Sequence, residues 1–123
     1  MRKAVGVGGV FFRAKDPDAL MEWYFHHLGV ERSPEAEGGV PWTTDAGVTV
    51  FAPFAADSDY FPADRSFMLN FRVAELDPLL AELRSAGIEV TREETMDGVG
   101  RFARIHDPEG NPIELWEPIS EEG

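Results

Sequence analysis

Apolar positions recur along the chain with two periods, and the switch between them marks out the elements. Val10, Phe12 and Ala14 alternate with Gly9, Phe11 and Arg13, the period of two expected of a strand. Leu20, Trp23, Tyr24, His27 and Leu28 then follow at helical spacing and predict one buried stripe. Asp16-Pro17 suits the start of that helix: aspartate can cap the free N–H groups, and proline lacks the one left unpaired there. Gly29 can take the left-handed conformation that ends it. Leu76, Leu79, Leu80 and Leu83, closed by Gly87, predict a second amphipathic helix. The strands are less regular, and are placed near 5–14, 31–35, 39–44, 47–53, 66–73, 88–94, 99–107 and 111–117.

The two halves repeat. Val10–Ala14 resembles Leu69–Val73, each is followed by a helical segment, and the segments end in Leu28-Gly29-Val30-Glu31 and Ala86-Gly87-Ile88-Glu89. Each half closes with a turn and a strand: Asp45–Gly47 before 48–53, and Asp107–Asn111 before 112–118. Three matches in one order indicate a duplicated βαβββ unit. Module 1 spans about 1–55, module 2 about 66–118, and the proline- and aspartate-bearing stretch 54–65 connects them within one domain, 1–123. In Asp107-Pro108-Glu109-Gly110-Asn111, Pro108 presets a turn and Gly110 supplies positive φ, which a plain hairpin accounts for.

Composition narrows the chemistry. With 23 acidic and 11 basic residues the formal charge is −12, which repels nucleic acid and an anionic membrane surface. The absence of cysteine removes disulfides, thiolate nucleophiles and thiolate metal sites. No apolar run approaches the roughly 20 residues that span a bilayer, and Met1-Arg2-Lys3 leads into a glycine-rich strand pattern rather than a signal peptide. A cytoplasmic protein is expected. Gly6-Val7-Gly8-Gly9 lies in a strand and opens no helix, so it does not predict a dinucleotide loop.

Asp-Pro-Glu-Gly-Asn-Pro-Ile-Glu-Leu at 107–115 resembles the C-terminal signature of the vicinal oxygen chelate superfamily, and Trp23-Tyr24 followed by Leu28-Gly29 is similar to its first-helix pattern. With the 69–73 strand and the helix after it, the resemblance covers nearly the whole chain. It implies an α+β fold in which two βαβββ modules form a curled mixed sheet, a cup, with helices on the outside. The superfamily includes glyoxalase I, extradiol dioxygenases, methylmalonyl-CoA epimerase, fosfomycin-modifying transferases and antibiotic-sequestering proteins that need no metal. Its cups are often completed across a dimer interface, so a homodimer is expected.

Metal-dependent members take ligands from the first and last strands of each unit. Those positions fall here at Gly9, Thr49, Met68 and Glu114. Of the four only Glu114 is a competent ligand, and Lewis-acid chemistry needs about three. No metal and no other cofactor is expected. His26 and His27 are neighbours on a helix and cannot share a face; His106 sits at the hairpin, where a turn or pocket-rim role suits it.

Strand alternation sends Leu69, Phe71, Val73, Ala103, Ile105, Ile113 and Leu115 towards the helices. It leaves Phe11, Arg13, Thr49, Phe51, Met68, Asn70, Arg72, Phe102, Arg104, His106, Glu114 and Trp116 facing the cup, with Trp42 and Thr44 completing a wall. Aromatic area with a few polar groups is the usual make-up of a small-molecule site. Arg13, Arg72 and Arg104 either pair with carboxylates such as Glu114 or gather an anionic ligand. Two functions stay open: binding of a small aromatic or anionic molecule without metal, and a lyase or isomerase in which Glu114 is the acid/base or a metal ligand. A pure interaction module fits the cup least.

Overall fold

Both helices begin and end on the residues that the pattern marks. In the computed structural model, which describes residues 3–31 and 42–119, α1 spans Pro17–Leu28. Asp16 accepts the Ala19 N–H at 3.1 Å, and Gly29 ends the helix at φ 72° with its N–H on the Phe25 carbonyl. The second helix, α2, spans Leu76–Ser85 and has no local side-chain cap. Glu117, far along the chain, accepts the Leu76 N–H at 2.7 Å instead.

The strands are β1 (Leu69–Arg72), β2 (Arg92–Met96), β3 (Gly100–His106) and β4 (Pro112–Pro118). They form an open mixed sheet in the order β1-β4-β3-β2, with β1 parallel to β4 and the other pairs antiparallel. This is one complete βαβββ unit, and the α+β class and mixed sheet are as expected.

Alternation divides the sheet into two faces. Ala103 and Ile105 from β3 and Ile113 and Leu115 from β4 join Leu20 and Tyr24 of α1 and Leu76, Leu80 and Leu83 of α2 in the buried core. Burying each large aliphatic side chain contributes about 1.5–3 kcal/mol, so this cluster holds both helices on one face. The first-half helix therefore packs on the sheet of the second half. The hairpin fastens it there: the Glu109 carboxylate accepts the Lys15 and Asp16 N–H groups at 2.7 and 3.0 Å, and Tyr24 donates to Asp107 at 2.6 Å.

The first-half strands differ from expectation. Residues 5–14 and 47–53 carry no ladder pairing among the described residues, and the predicted strands at 31–35 and 39–44 fall largely on 32–41, outside them. Alternation marks a segment fit for a half-buried sheet face, but a strand also needs an edge to pair with. Among the described residues that edge is not supplied, and Val5, Val7, Phe11, Val48, Val50 and Phe51 stand exposed.

Candidate functional site

The sheet face turned away from the helices carries the polar and aromatic side chains. Ladder neighbours share a face, so register alone brings Asn70 beside Glu114 and Arg72 beside Trp116, then Arg104 beside Glu114 and Phe102 beside Trp116. On the outer strand Arg92 lies opposite Arg104 and Glu94 opposite Phe102.

Glu114 is at the centre of this face and is only 8% exposed. Its carboxylate is answered by two neutral donors: the Asn70 amide at 2.8 Å and the Tyr60 hydroxyl at 2.5 Å. Arg104, 7% exposed, donates from Nη2 to the Tyr60 carbonyl at 3.0 Å. Its Nε is a buried donor with no acceptor among the described residues. The Arg92 and Arg104 guanidinium groups lie over the Tyr60 ring, 4.8 and 5.1 Å from its centroid. Burial, followed by the Glu114 contact, raises the Tyr60 pKa, and the two arginines oppose that rise. The phenol therefore stays protonated and donating.

Beside this cluster Phe102 and Trp116 stack at 6.0 Å with their planes 4° apart. Trp116 is fixed by its Nε1–H, which donates to the Val99 carbonyl at 3.1 Å. Gly100 makes that close approach possible: at φ 140°, a β-carbon there would fall 2.2 Å from the Glu117 carbonyl oxygen and 2.8 Å from Trp116 Nε1. Arg72 reaches across to the first half and donates to the Asp45 carbonyl at 2.8 Å.

The predicted site residues thus fall into two groups. Asn70, Arg72, Phe102, Arg104, Glu114 and Trp116 share the face, as alternation of β1, β3 and β4 requires. Phe11, Arg13, Thr49 and Phe51 are exposed in segments without ladder pairing, and Phe11 is 95% exposed. Trp42 packs 6.0 Å from Phe71, a residue of the helix-facing side, and not on the Glu114 side. Thr44 is exposed. Met68 precedes β1, and the ladder neighbour of Glu114 is Asn70, two residues on. Tyr60 and Arg92 are additions. Alternation along β2 could have revealed Arg92, but no pattern in the connector pointed to Tyr60.

The donors present do not suit a catalytic cation. Glu114 is the sole acidic ligand at the four expected positions, the shift from Met68 to Asn70 adds a neutral amide already bonded to Glu114, and Phe11, its counterpart in the repeat, adds nothing. Among the described residues no three His, Asp or Glu side chains come together in a group that could hold a metal ion.

His106 lies at the end of β3, in a groove of about 280 Å³ that it lines with Trp23, Gly87, Ile88, Glu89, Thr91, Asp107 and Pro108. Burial, then the nearby Arg104 charge, lowers its pKa against the opposing pull of Asp107 and Glu89. Asp107 itself serves structure. It accepts Tyr24 Oη, the Glu109 and Asn111 N–H groups and Asn111 Nδ2, all within 3.0 Å.

Comparison with known proteins agrees with this architecture. The sequence model of the family described as "Glyoxalase-like domain" matches residues 9–116. Among solved structures, lactoylglutathione lyase from Agrobacterium tumefaciens shares 20% identity over 94% of this chain and 96% of its own, with a TM-score of 0.63. A glyoxylase/bleomycin resistance protein/dioxygenase domain from Frankia sp. EAN1pec gives 20% identity, 95% and 100% coverage and a TM-score of 0.59. TnmS3, an antibiotic binding protein from Streptomyces sp. CB03234, gives 24% identity, 85% and 88% coverage and 0.55. No curated protein matches. Among the described residues no helix is long and apolar enough to cross a membrane. The chain belongs to the glyoxalase-like domain family, within the vicinal oxygen chelate superfamily.

Proposed function

We propose that this protein binds a small aromatic or anionic molecule on the face around Glu114, and does so without a metal. The observation that carries the reading is the make-up of that face: a stacked Phe102–Trp116 pair beside two arginines, one with a buried Nε that lacks an acceptor among the described residues. Flat apolar area and guanidinium forks are what an aromatic anion needs for contact and orientation. An antibiotic-binding neighbour of the same fold, TnmS3, is in keeping with such a role.

The test is a titration of chelator-treated protein with aromatic carboxylates, followed by NMR at the Trp116 indole N–H. Saturable shifts at Trp116 and Phe102 are expected, unchanged when divalent metal is added back. Metal-dependent turnover of a dicarbonyl hemithioacetal would overturn the reading.

A lyase or isomerase using Glu114 as acid/base is the second reading, favoured by the buried carboxylate with a donating phenol oxygen 2.5 Å away. It predicts that Glu114→Gln abolishes turnover with the fold intact; unchanged turnover excludes it. We also assign a homodimer, supported by the exposed Phe11, Phe51, Val5, Val7, Val48 and Val50, which a second copy would cover. Light scattering should give twice the 13.7 kDa chain mass, and Phe51→Asp should reduce it towards one.

A further inference from the structure

The residue that fills the centre of the face comes from the connector. Turns shape it on either side, Ser58 N–H bonding to the Ala55 carbonyl and Arg65 N–H to that of Pro62, and Arg65 Nη2 ties it to the hairpin through the Glu109 carbonyl at 2.7 Å. Between the two turns Tyr60 makes polar contacts to the sheet. Its hydroxyl donates to Glu114, its carbonyl accepts from Arg104, and its ring rests against Arg92 and Arg104.

Those contacts describe a molecule. Three features of Tyr60 are recognised: a phenol, a ring, and a carbonyl group separated from the ring by two carbons. The acceptor is held by one donor of a guanidinium edge whose other donor, Arg104 Nε, is buried and unanswered among the described residues. Nε and Nη2 together form a fork that matches the two oxygens of a carboxylate, whereas a peptide carbonyl offers one. Tyr60 thus fits the place incompletely, and the part it leaves unfilled is anionic.

We propose that Tyr60 is an internal stand-in for the ligand, and that a hydroxyaryl carboxylate displaces it. The ligand's phenol then donates to Glu114 and its carboxylate takes the Nε–Nη2 fork of Arg104. This rests on the reading of the face as a small-molecule site and names its ligand class. The connector acts as a competitor: the site binds only in the fraction of molecules whose Tyr60 has swung clear, and apparent affinity falls by that fraction. A charge-assisted hydrogen bond that closes the site holds the open form to roughly a tenth or less of the population.

The probe is 3-(4-hydroxyphenyl)propanoate, which reproduces the ring, the spacing and the acceptor of tyrosine. Its control is 3-phenylpropanoate, without the hydroxyl. Calorimetric titration of the full chain should show Tyr60→Ala binding the hydroxylated probe about tenfold tighter than the unmodified protein. The same variant should prefer it over the control by about tenfold, the discrimination a site hydrogen bond to a hydroxyl supports. Glu114→Gln in that background should shrink the preference. Tyr60→Phe keeps the packing and loses only the hydroxyl anchor, so it should tighten binding too, and it serves if the alanine variant fails to fold. Equal or weaker binding by the Tyr60 variants makes Tyr60 a wall of the site and overturns the proposal. Equal binding of probe and control overturns the assigned ligand class. If other aromatic acids shift Trp116 in the unmodified protein while the Tyr60 variants change nothing, only this inference fails. If no aromatic acid binds to any of these proteins, the broader reading fails with it.

Discussion

Replacing Asp107 by alanine tests whether the hairpin holds the two halves together. The carboxylate is 5% exposed and accepts four hydrogen bonds, from Tyr24 Oη at 2.6 Å, Asn111 Nδ2 at 2.8 Å, and the Glu109 and Asn111 N–H groups at 2.9 and 3.0 Å. Tyr24 and Asn111 are themselves buried, at 4% and 3% exposure, so water cannot readily replace the lost acceptor. Each buried donor left stranded costs about 1–3 kcal/mol, and the three that Tyr24 and Asn111 contribute give a loss of at least about 3 kcal/mol. For a domain of this size that lowers the melting temperature by at least about 10 °C. Tyr24→Phe removes one donor and leaves Asp107 its other three, so it should cost less, about 1–2 kcal/mol. The two sites share one bond, and the double variant should fall short of the summed losses by about 1–2 kcal/mol. Urea denaturation of the four proteins, followed by circular dichroism, measures each corner of this cycle. A loss below about 1 kcal/mol for Asp107→Ala, or strict additivity, would refute the clamp.

Three other sites give independent tests. His106 should titrate by NMR below its ordinary value of 6.5, and Arg104→Gln should move it part of the way back. Because the folded chain takes up that proton less readily than the unfolded one, the contribution of His106 to stability is intact above pH 6.5 and is lost as the pH falls towards its depressed value. Gly100→Ala places a β-carbon against the Glu117 carbonyl at an unfavourable φ; thermal denaturation should show a loss of about 2–3 kcal/mol. Glu117→Ala removes the acceptor for the Leu76 N–H at the start of α2 and should cost about 1 kcal/mol, whereas Glu117→Gln, which keeps an oxygen there, should cost much less by the same measurement.

The parts of this fold that were legible in the sequence are those decided by local chemistry and by sheet alternation. Asp16, Pro17 and Gly29 act within a turn of where they stand, so the limits of α1 could be read directly. The orientation of β3 and β4 followed from Ala103, Ile105, Ile113 and Leu115, since only one face of a strand can take a continuous apolar row. From that orientation came the placement of Phe102, Arg104, Glu114 and Trp116. What could not be read depends on partners far away in sequence. The ladder neighbour of Glu114 is Asn70 because of how β1 slides along β4, and a shift of two residues leaves every side chain on the same face, so the apolar pattern cannot detect it. Trp42 shows the same limit: its ring meets Phe71 on the helix side, a contact with no local signature. The start of α2 is capped by Glu117, some forty residues on, and could not be inferred from Glu75 or its neighbours.

This division explains how the sheet can keep its fold while its chemistry changes. Residues 103, 105, 113 and 115 bind the helices, and any polar substitution among them strands a buried group in the core. Residues 102, 104, 114 and 116 alternate with them, so they are fixed in position by the same backbone yet contribute little to holding the helices. Their burial has another source, the connector laid across them at Tyr60, together with their own stacking and ladder contacts. Side chains on that face can therefore be exchanged, a metal ligand for a glycine or an arginine, without loss of the core that positions them. On the proposed reading, what such an exchange would alter is the set of molecules able to compete with Tyr60 for Glu114 and Arg104. On that reading the scaffold would fix where a ligand lies, and the alternate residues would decide which ligand that is.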